Sequence, residues 1–206
     1  MESFIQKLVL EKALKTPSII SAFKKVHRAD FVPKTIRQYS NEDRALPTFE
    51  NQTISQPYTV SFMLELLQPK PGEIILDVGS GSGWVAGMLS HIVGKKGKVF
   101  AVERVPELVQ FSIDNLRKYR FNNLKIIKGD GSRGLPQKAP FDKIHVAAAG
   151  ESVPKALKEQ LKVGGRMVIP TQENDIRMIV RVSEKKWKEK IYKGFVFVPL
   201  IGGSSG

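Results

Sequence analysis

The chain has 206 residues, 41% of them apolar and 26% charged, which suits one folded domain and is too apolar for a disordered chain. It contains no cysteine, which excludes a disulfide framework and a zinc–thiolate site. Thirty-three Lys+Arg against 20 Asp+Glu leave +13, but the lysines are scattered along the chain. The densest group, Glu184-Lys185-Lys186-Trp187-Lys188-Glu189-Lys190, mixes both signs and reads as a solvated hairpin end rather than a nucleic-acid patch.

Charges interrupt the apolar residues from Met1 to Lys7, so the start is no signal peptide. The longest strongly apolar stretch, Phe195 to Ile201, falls well short of the roughly 20 residues of a membrane span. The expectation is a cytoplasmic, monomeric protein with no membrane association, no metal and no nucleic-acid partner.

In chain order, Glu2 to Leu14 carries apolar residues at helical spacing. Thr16-Pro17 reads as an N-cap and first helical position, opening a second helix toward Val26. The segment from His27 to Gln56 reads as loop with short turns. A third helix follows Pro57, with Val60, Met63, Leu64 and Leu67 on one face. From Glu73 the pattern becomes strand–helix alternation. Strands are expected at 74–78, 98–102, 124–128, 143–147 and 166–169, and helices through Val93, over 106–119 and over 154–161. Such alternation implies a mostly parallel sheet covered on both faces. Ile176 to Val182 and Lys193 to Leu200 are expected to form an antiparallel hairpin joined by the lysine-rich turn. The organisation is then one domain: an N-terminal helical and substrate-loop extension (1–56), a Rossmann-like core (57–201) and a frayed tail (202–206).

The first strand of the alternation ends in Asp77-Val78-Gly79-Ser80-Gly81-Ser82-Gly83. A dinucleotide fingerprint needs a third glycine where Trp84 stands. The turn instead suits a nucleoside without pyrophosphate, lying against the backbone of Gly79 and Gly81. Glu103 ends the second strand, where a carboxylate can accept ribose hydroxyls; the alternative is a surface acid paired with Arg104. Gly129-Asp130-Gly131 follows the third strand and can present Asp130 and backbone groups to an adenine. Acids and glycine turns at successive strand ends converge on one crevice, a pattern that points to S-adenosylmethionine. His145, within a strand, reads as a structural residue. Ser55 reads either as a cap for the helix after Pro57 or as a hydroxyl for chemistry.

Before the sheet stands Gln52-Thr53-Ile54-Ser55-Gln56-Pro57. With Glu42-Asp43-Arg44-Ala45-Leu46-Pro47, the Asp77–Gly83 turn, Gly129-Asp130-Gly131, Ala139-Pro140-Phe141-Asp142, Gly164 to Pro170 and Phe197-Val198-Pro199-Leu200, it resembles the protein-L-isoaspartate O-methyltransferase family over nearly the whole chain. The resemblance implies methyl transfer from S-adenosyl-L-methionine to the side carboxylate of isoaspartyl residues in damaged proteins, with Ser55 as the active-site residue. It implies a donor site lined by Thr53, Ile54, Ser55, Asp77, Gly79, Ser80, Gly81, Glu103, Asp130 and Gly131. Many bacterial relatives carry Leu-Pro-x-Gly-x-Gly where this chain reads Leu46-Pro47-Thr48-Phe49-Glu50-Asn51, a departure expected to alter how a peptide approaches. The alternatives are a related methyltransferase acting on a modified peptide, a small acid or RNA, and a basic nucleic-acid-binding protein with a relic nucleoside pocket.

Overall fold

The structure, a computed structural model, describes residues 3–202. Glu2, expected to open the first helix, and residues 203–206 of the expected tail lie outside the described residues.

Helix α1 (Ser3–Leu10) is shorter than the expected Glu2–Leu14. Lys12 adopts a left-handed backbone, φ 57°, and the amides of Ala13 and Leu14 both turn back onto the carbonyl of Leu8, at 2.9 and 3.0 Å. That reversal buries Leu14 with Phe4, Ile5 and Leu8. Helix α2 (Pro17–Lys25) opens at proline as expected, yet the Thr16 side chain makes no cap bond. Its hydroxyl donates instead to Glu65 Oε2 at 2.7 Å, while Glu65 Oε1 accepts the amides of Lys15 and Thr16, each at 2.7 Å. A carboxylate from α3 (Pro57–Leu67) thereby supplies the negative charge that favours the start of α2.

The stretch expected as loop holds short 3₁₀ turns at Arg28–Asp30 and Lys34–Tyr39 and an antiparallel ribbon of β1 (Leu46–Pro47) and β2 (Thr53–Ile54). Two-residue strands leave no periodic signal.

The main sheet contains β3 (Ile74–Val78), β4 (Lys98–Glu103), β5 (Leu124–Lys128), β6 (Phe141–Val146), β7 (Leu161–Thr171), β8 (Asp175–Ser183) and β9 (Lys186–Lys193), in spatial order β5-β4-β3-β6-β7-β8-β9. The pairs from β5 to β7 are parallel, and β7-β8 and β8-β9 are antiparallel. Helices α4 (Trp84–Val93), α5 (Pro106–Leu116) and α6 (Lys155–Glu159) connect the parallel strands. Alternate strand residues face opposite sides. Ile75, Val99, Val168 and Ile176 join one buried cluster with the N-terminal helices, whereas Leu76, Val78, Ile144, Met167 and Ile169 join the other. The chain winds outward from β3 through β4 to β5, then crosses back to place β6 on the other side of β3, and a crevice opens at the C-terminal end of β3 where the order reverses.

The C-terminal part differs most from expectation. Helix α6 ends at Glu159, and Leu161, expected in that helix, begins β7. The expected hairpin is present with its strands shifted: only Glu184 and Lys185 of the lysine-rich segment make the turn, and Lys186 onward forms β9, paired with β8 from Asp175↔Lys193 to Ser183↔Lys186. As the outermost strand it tolerates exposed charges, which also discourage edge-to-edge pairing, and Arg181 and Lys158 pack over its Trp187 ring. The apolar Phe195–Leu200 run, expected as the partner strand, instead returns to the crevice. The amide of Ala149 donates to Val198 O and that of Leu200 to Ala149 O, both at 2.8 Å. Among the described residues no helix is long and apolar enough to cross a membrane, and no group of side chains is arranged to hold a metal ion.

Replacing Glu65 by Ala strips the start of α2 of its acceptor. The expected loss is about 1–3 kcal/mol, or a fall in Tm of roughly 2–12 °C at this chain length, measured by reversible thermal unfolding.

Candidate functional site

The ends of β3, β4 and β6 open into a cavity of about 420 Å³, within the range of small-molecule sites. One wall is the turn after β3. The amides of Gly79 and Ser80 both donate to Val102 O, at 2.9 and 3.2 Å, which ties the turn to β4. Gly79 and Gly81 have φ of 74° and 52°, backbone conformations that suit glycine, and a Cβ on Gly81 would project into open space. Gly83 has another duty: a Cβ there would stand 2.9 Å from Leu116 of α5, so it permits helix packing.

Glu103, 6% exposed, ends β4. Its Oε2 accepts the Gly81 amide at 2.9 Å, and its Oε1 accepts the amides of Arg104 and Val105 at 2.8 and 3.0 Å. It is no surface acid paired with the Arg104 guanidinium, which donates to Ile201 O instead. Three backbone donors fix this carboxylate before a ligand arrives. Asp77 is fully buried, with Oδ1 bonded to His145 Nδ1 at 2.7 Å. His145 thus has the structural partner its strand position implied. Asp77 Oδ2 and Ser80 Oγ are buried without a hydrogen-bond partner, on residues that line the cavity. Buried polar atoms rarely stay unsatisfied unless a ligand or water completes them.

Gly131 also lines the cavity, and a Cβ there would lie 2.5 Å from Val78 Cγ1. Asp130, expected at an adenine, is not among the lining residues. Its Oδ1 accepts the Ser132 amide and hydroxyl at 3.0 and 2.7 Å, and it pairs with Arg133 at 3.6 Å. A turn-opening aspartate commonly binds its own downstream backbone in this way.

Thr53, Ile54 and Ser55 line the same cavity. Ser55 does not cap α3: the cap position is Gln56, and the Tyr58 amide donates to Asp43 Oδ1 at 2.8 Å. The Ser55 hydroxyl therefore has no hydrogen bond among the described residues. Its carbonyl accepts from Arg28 at 3.2 Å, a fully buried residue that sequence reasoning did not single out. The only hint was an arginine set two residues after Val26 and three before Phe31. The charged residues lining the cavity are Glu50, Asp77, Glu103, Glu107 and Arg104, an acidic interior within a basic chain.

These features belong together in one class of protein. The sequence profile of the family described as protein-L-isoaspartate(D-aspartate) O-methyltransferase matches residues 1–205. The chain belongs to this family. A relative from Aeropyrum pernix, named protein-L-isoaspartate O-methyltransferase, is 44% identical over 188 residues, covering 89% of this chain and 72% of that protein. A solved structure of the same name superposes with a TM-score of 0.88 at 25% identity, covering 98% of this chain and 66% of that longer one. A Plasmodium falciparum structure, described as a putative protein-L-isoaspartate O-methyltransferase in complex with S-adenosyl-L-homocysteine, gives 0.86 at 24% identity, covering 97% of each chain. The fold is that of the S-adenosylmethionine-dependent methyltransferases, and the family's methyl donor is S-adenosyl-L-methionine. The cavity of this chain suits that donor: an open glycine turn, unsatisfied buried oxygens and a surplus of acids match a cationic nucleoside.

The family departure at Phe49 has a structural consequence. Glu50 and Asn51 take left-handed φ of 53° and 55°, and the ribbon tip turns so that Phe49 meets Phe111 of α5 edge to face, centroids 5.0 Å apart. This pair clasps the tip to α5. Phe49→Gly forfeits about 0.5–1.5 kcal/mol of ring contact. The amides of Thr48 and Gln52, bonded across the tip, are expected to exchange with deuterium roughly 3- to 10-fold faster.

Proposed function

We infer that this chain transfers a methyl group from S-adenosyl-L-methionine to the side carboxylate of L-isoaspartyl residues in damaged proteins and peptides. Succinimide formation from the ester then allows partial return to aspartate. The observation that carries this reading is the placement of Ser55, its hydroxyl unengaged, in the lining of an acidic, glycine-lined cavity. The reading takes a monomer as the working unit. A cytoplasmic setting, where aged intracellular proteins supply the acceptor, completes the reading.

The donor supplies a methyl group activated on a cationic sulfonium. Glu103, oriented by three amides, accepts from the ribose. Asp77 Oδ2 and Ser80 Oγ offer polar atoms to the donor's amino-acid end, and backbone at Gly79, Gly81 and Gly131 allows close approach. Asp130 acts here by shaping the turn that carries Gly131. A solvated side-chain carboxyl titrates at about pH 4, so the acceptor is ionised near neutrality and no general base is required. Ser55 donates to one carboxylate oxygen and leaves the other facing the methyl group. Thr53 and Ile54 hold Ser55 at the cavity wall. Positioning of this kind contributes roughly 7–11 kcal/mol in favourable cases.

The decisive assay supplies labelled donor with matched isoaspartyl and aspartyl peptides. Base-labile label is expected on the isoaspartyl peptide alone; equal or absent labelling contradicts the reading. Ser55→Ala is expected to lower kcat about 10- to 100-fold with donor affinity little changed, the size of one charge-assisted hydrogen bond. Glu103→Ala is expected to weaken donor binding by a similar factor in calorimetry; unchanged affinity would refute its ribose role.

A further inference from the structure

Arg28 is a fully buried cation in the part of the chain that builds the acceptor wall. Its guanidinium is spread over four backbone carbonyls. Nη1 donates to Ser40 O at 3.1 Å and Glu42 O at 2.9 Å, and Nη2 to Arg44 O at 2.7 Å and Ser55 O at 3.2 Å. These carbonyls span sixteen residues of irregular backbone, from position 40 to position 55, which contains little repeating structure to hold it in place. The same guanidinium lies 5.5 Å from the ring centre of Trp84, the first residue of α4 and the immediate neighbour of Gly83. The Trp84 indole in turn donates to Val26 O at 3.0 Å, two residues before Arg28. One planar group therefore connects the helix that follows the glycine turn with the backbone of Ser55.

Only arginine suits this task. Its five N–H groups leave a rigid plane at fixed angles, so four acceptors bound to it are fixed relative to one another. A lysine ammonium carries three donors on a flexible stem and leaves at least one carbonyl unsatisfied. Displacement of a reacting group by about 1 Å can cost on the order of 10²-fold in rate, so the position of the Ser55 carbonyl bears directly on where its hydroxyl meets the acceptor.

We propose that Arg28 is a positioning residue for methyl transfer: by binding the Ser55 carbonyl while resting on Trp84, it sets the distance between the acceptor wall and the donor wall. The proposal rests on the role given to Ser55 above. It differs from a purely structural role, in which loss of the fork would loosen both walls and donor binding alike.

The test is a cycle of Arg28→Lys, Ser55→Ala and the double variant, read by kcat and KM for an isoaspartyl peptide, by calorimetric affinity for S-adenosylhomocysteine and by Tm. Arg28→Lys is expected to lower kcat roughly 10- to 100-fold while donor-site affinity stays within about threefold. In the Ser55→Ala background it is expected to cost less than about threefold more, because the two act through one hydroxyl. An unchanged kcat, an equal loss in both backgrounds or a parallel loss of donor-site affinity would each overturn the proposal. Wild-type kcat in Ser55→Ala alone would instead remove the Ser55 assignment, and the proposal with it, while methylation of the isoaspartyl peptide stood. Should Arg28→Lys fail to fold, Arg28→Met, which avoids a buried unpaired charge, is judged by the same criteria. Failure of both to fold marks a structural fork and overturns the proposal.

Discussion

The turn from Gly79 to Gly83 must stay open at the end of β3, and Glu103 holds it there. Its bond to the Gly81 amide, together with the bonds from the Gly79 and Ser80 amides to Val102 O, makes β4 the template for the turn. Every other wall is placed relative to this one. The segment leaving β6 lies alongside, with Ala148 Cβ 3.8 Å from where a Gly79 Cβ would stand. The tail returns through Val198 and Leu200 to bond Ala149, and the loop carrying Ser55 closes the far side. The sheet supplies the rigid part, and segments from both ends of the chain complete the enclosure.

Charge is sorted by depth. The chain carries +13 overall, a field that favours approach of an anionic acceptor. The cavity lining inverts this sign, with four acids against Arg104. A cationic donor is thus accommodated inside a protein whose exterior attracts carboxylates. The two substrates of the family reaction have these opposite charges.

The legible features were those written in local pattern. The glycine turn, the acid closing β4, the proline-opened helices α2, α3 and α5 and the parallel alternation all follow from short windows of sequence. What escaped depends on partners far along the chain. Thr16 yields its capping duty to Glu65, and Ser55 yields its own to Asp43, because a carboxylate reaching from elsewhere is a better acceptor for those amides than a neighbouring hydroxyl. The lysine-rich segment holds the hairpin turn only at Glu184 and Lys185; the rest is strand, because an outermost strand can be as polar as a turn. Arg28 left only its place between Val26 and Phe31 as a hint, since backbone carbonyls such as those it binds carry no residue-type signature.

The central claim is that donor and acceptor meet between the Gly79–Gly83 turn and Ser55. A crystal structure of the protein with S-adenosylhomocysteine and an isoaspartyl peptide tests it most directly. The account predicts the nucleoside along Gly79 and Gly81 with its ribose on Glu103, and the peptide's side carboxylate within hydrogen-bond distance of Ser55 Oγ. A nucleoside bound elsewhere, or a Ser55 hydroxyl turned away from that carboxylate, would contradict it.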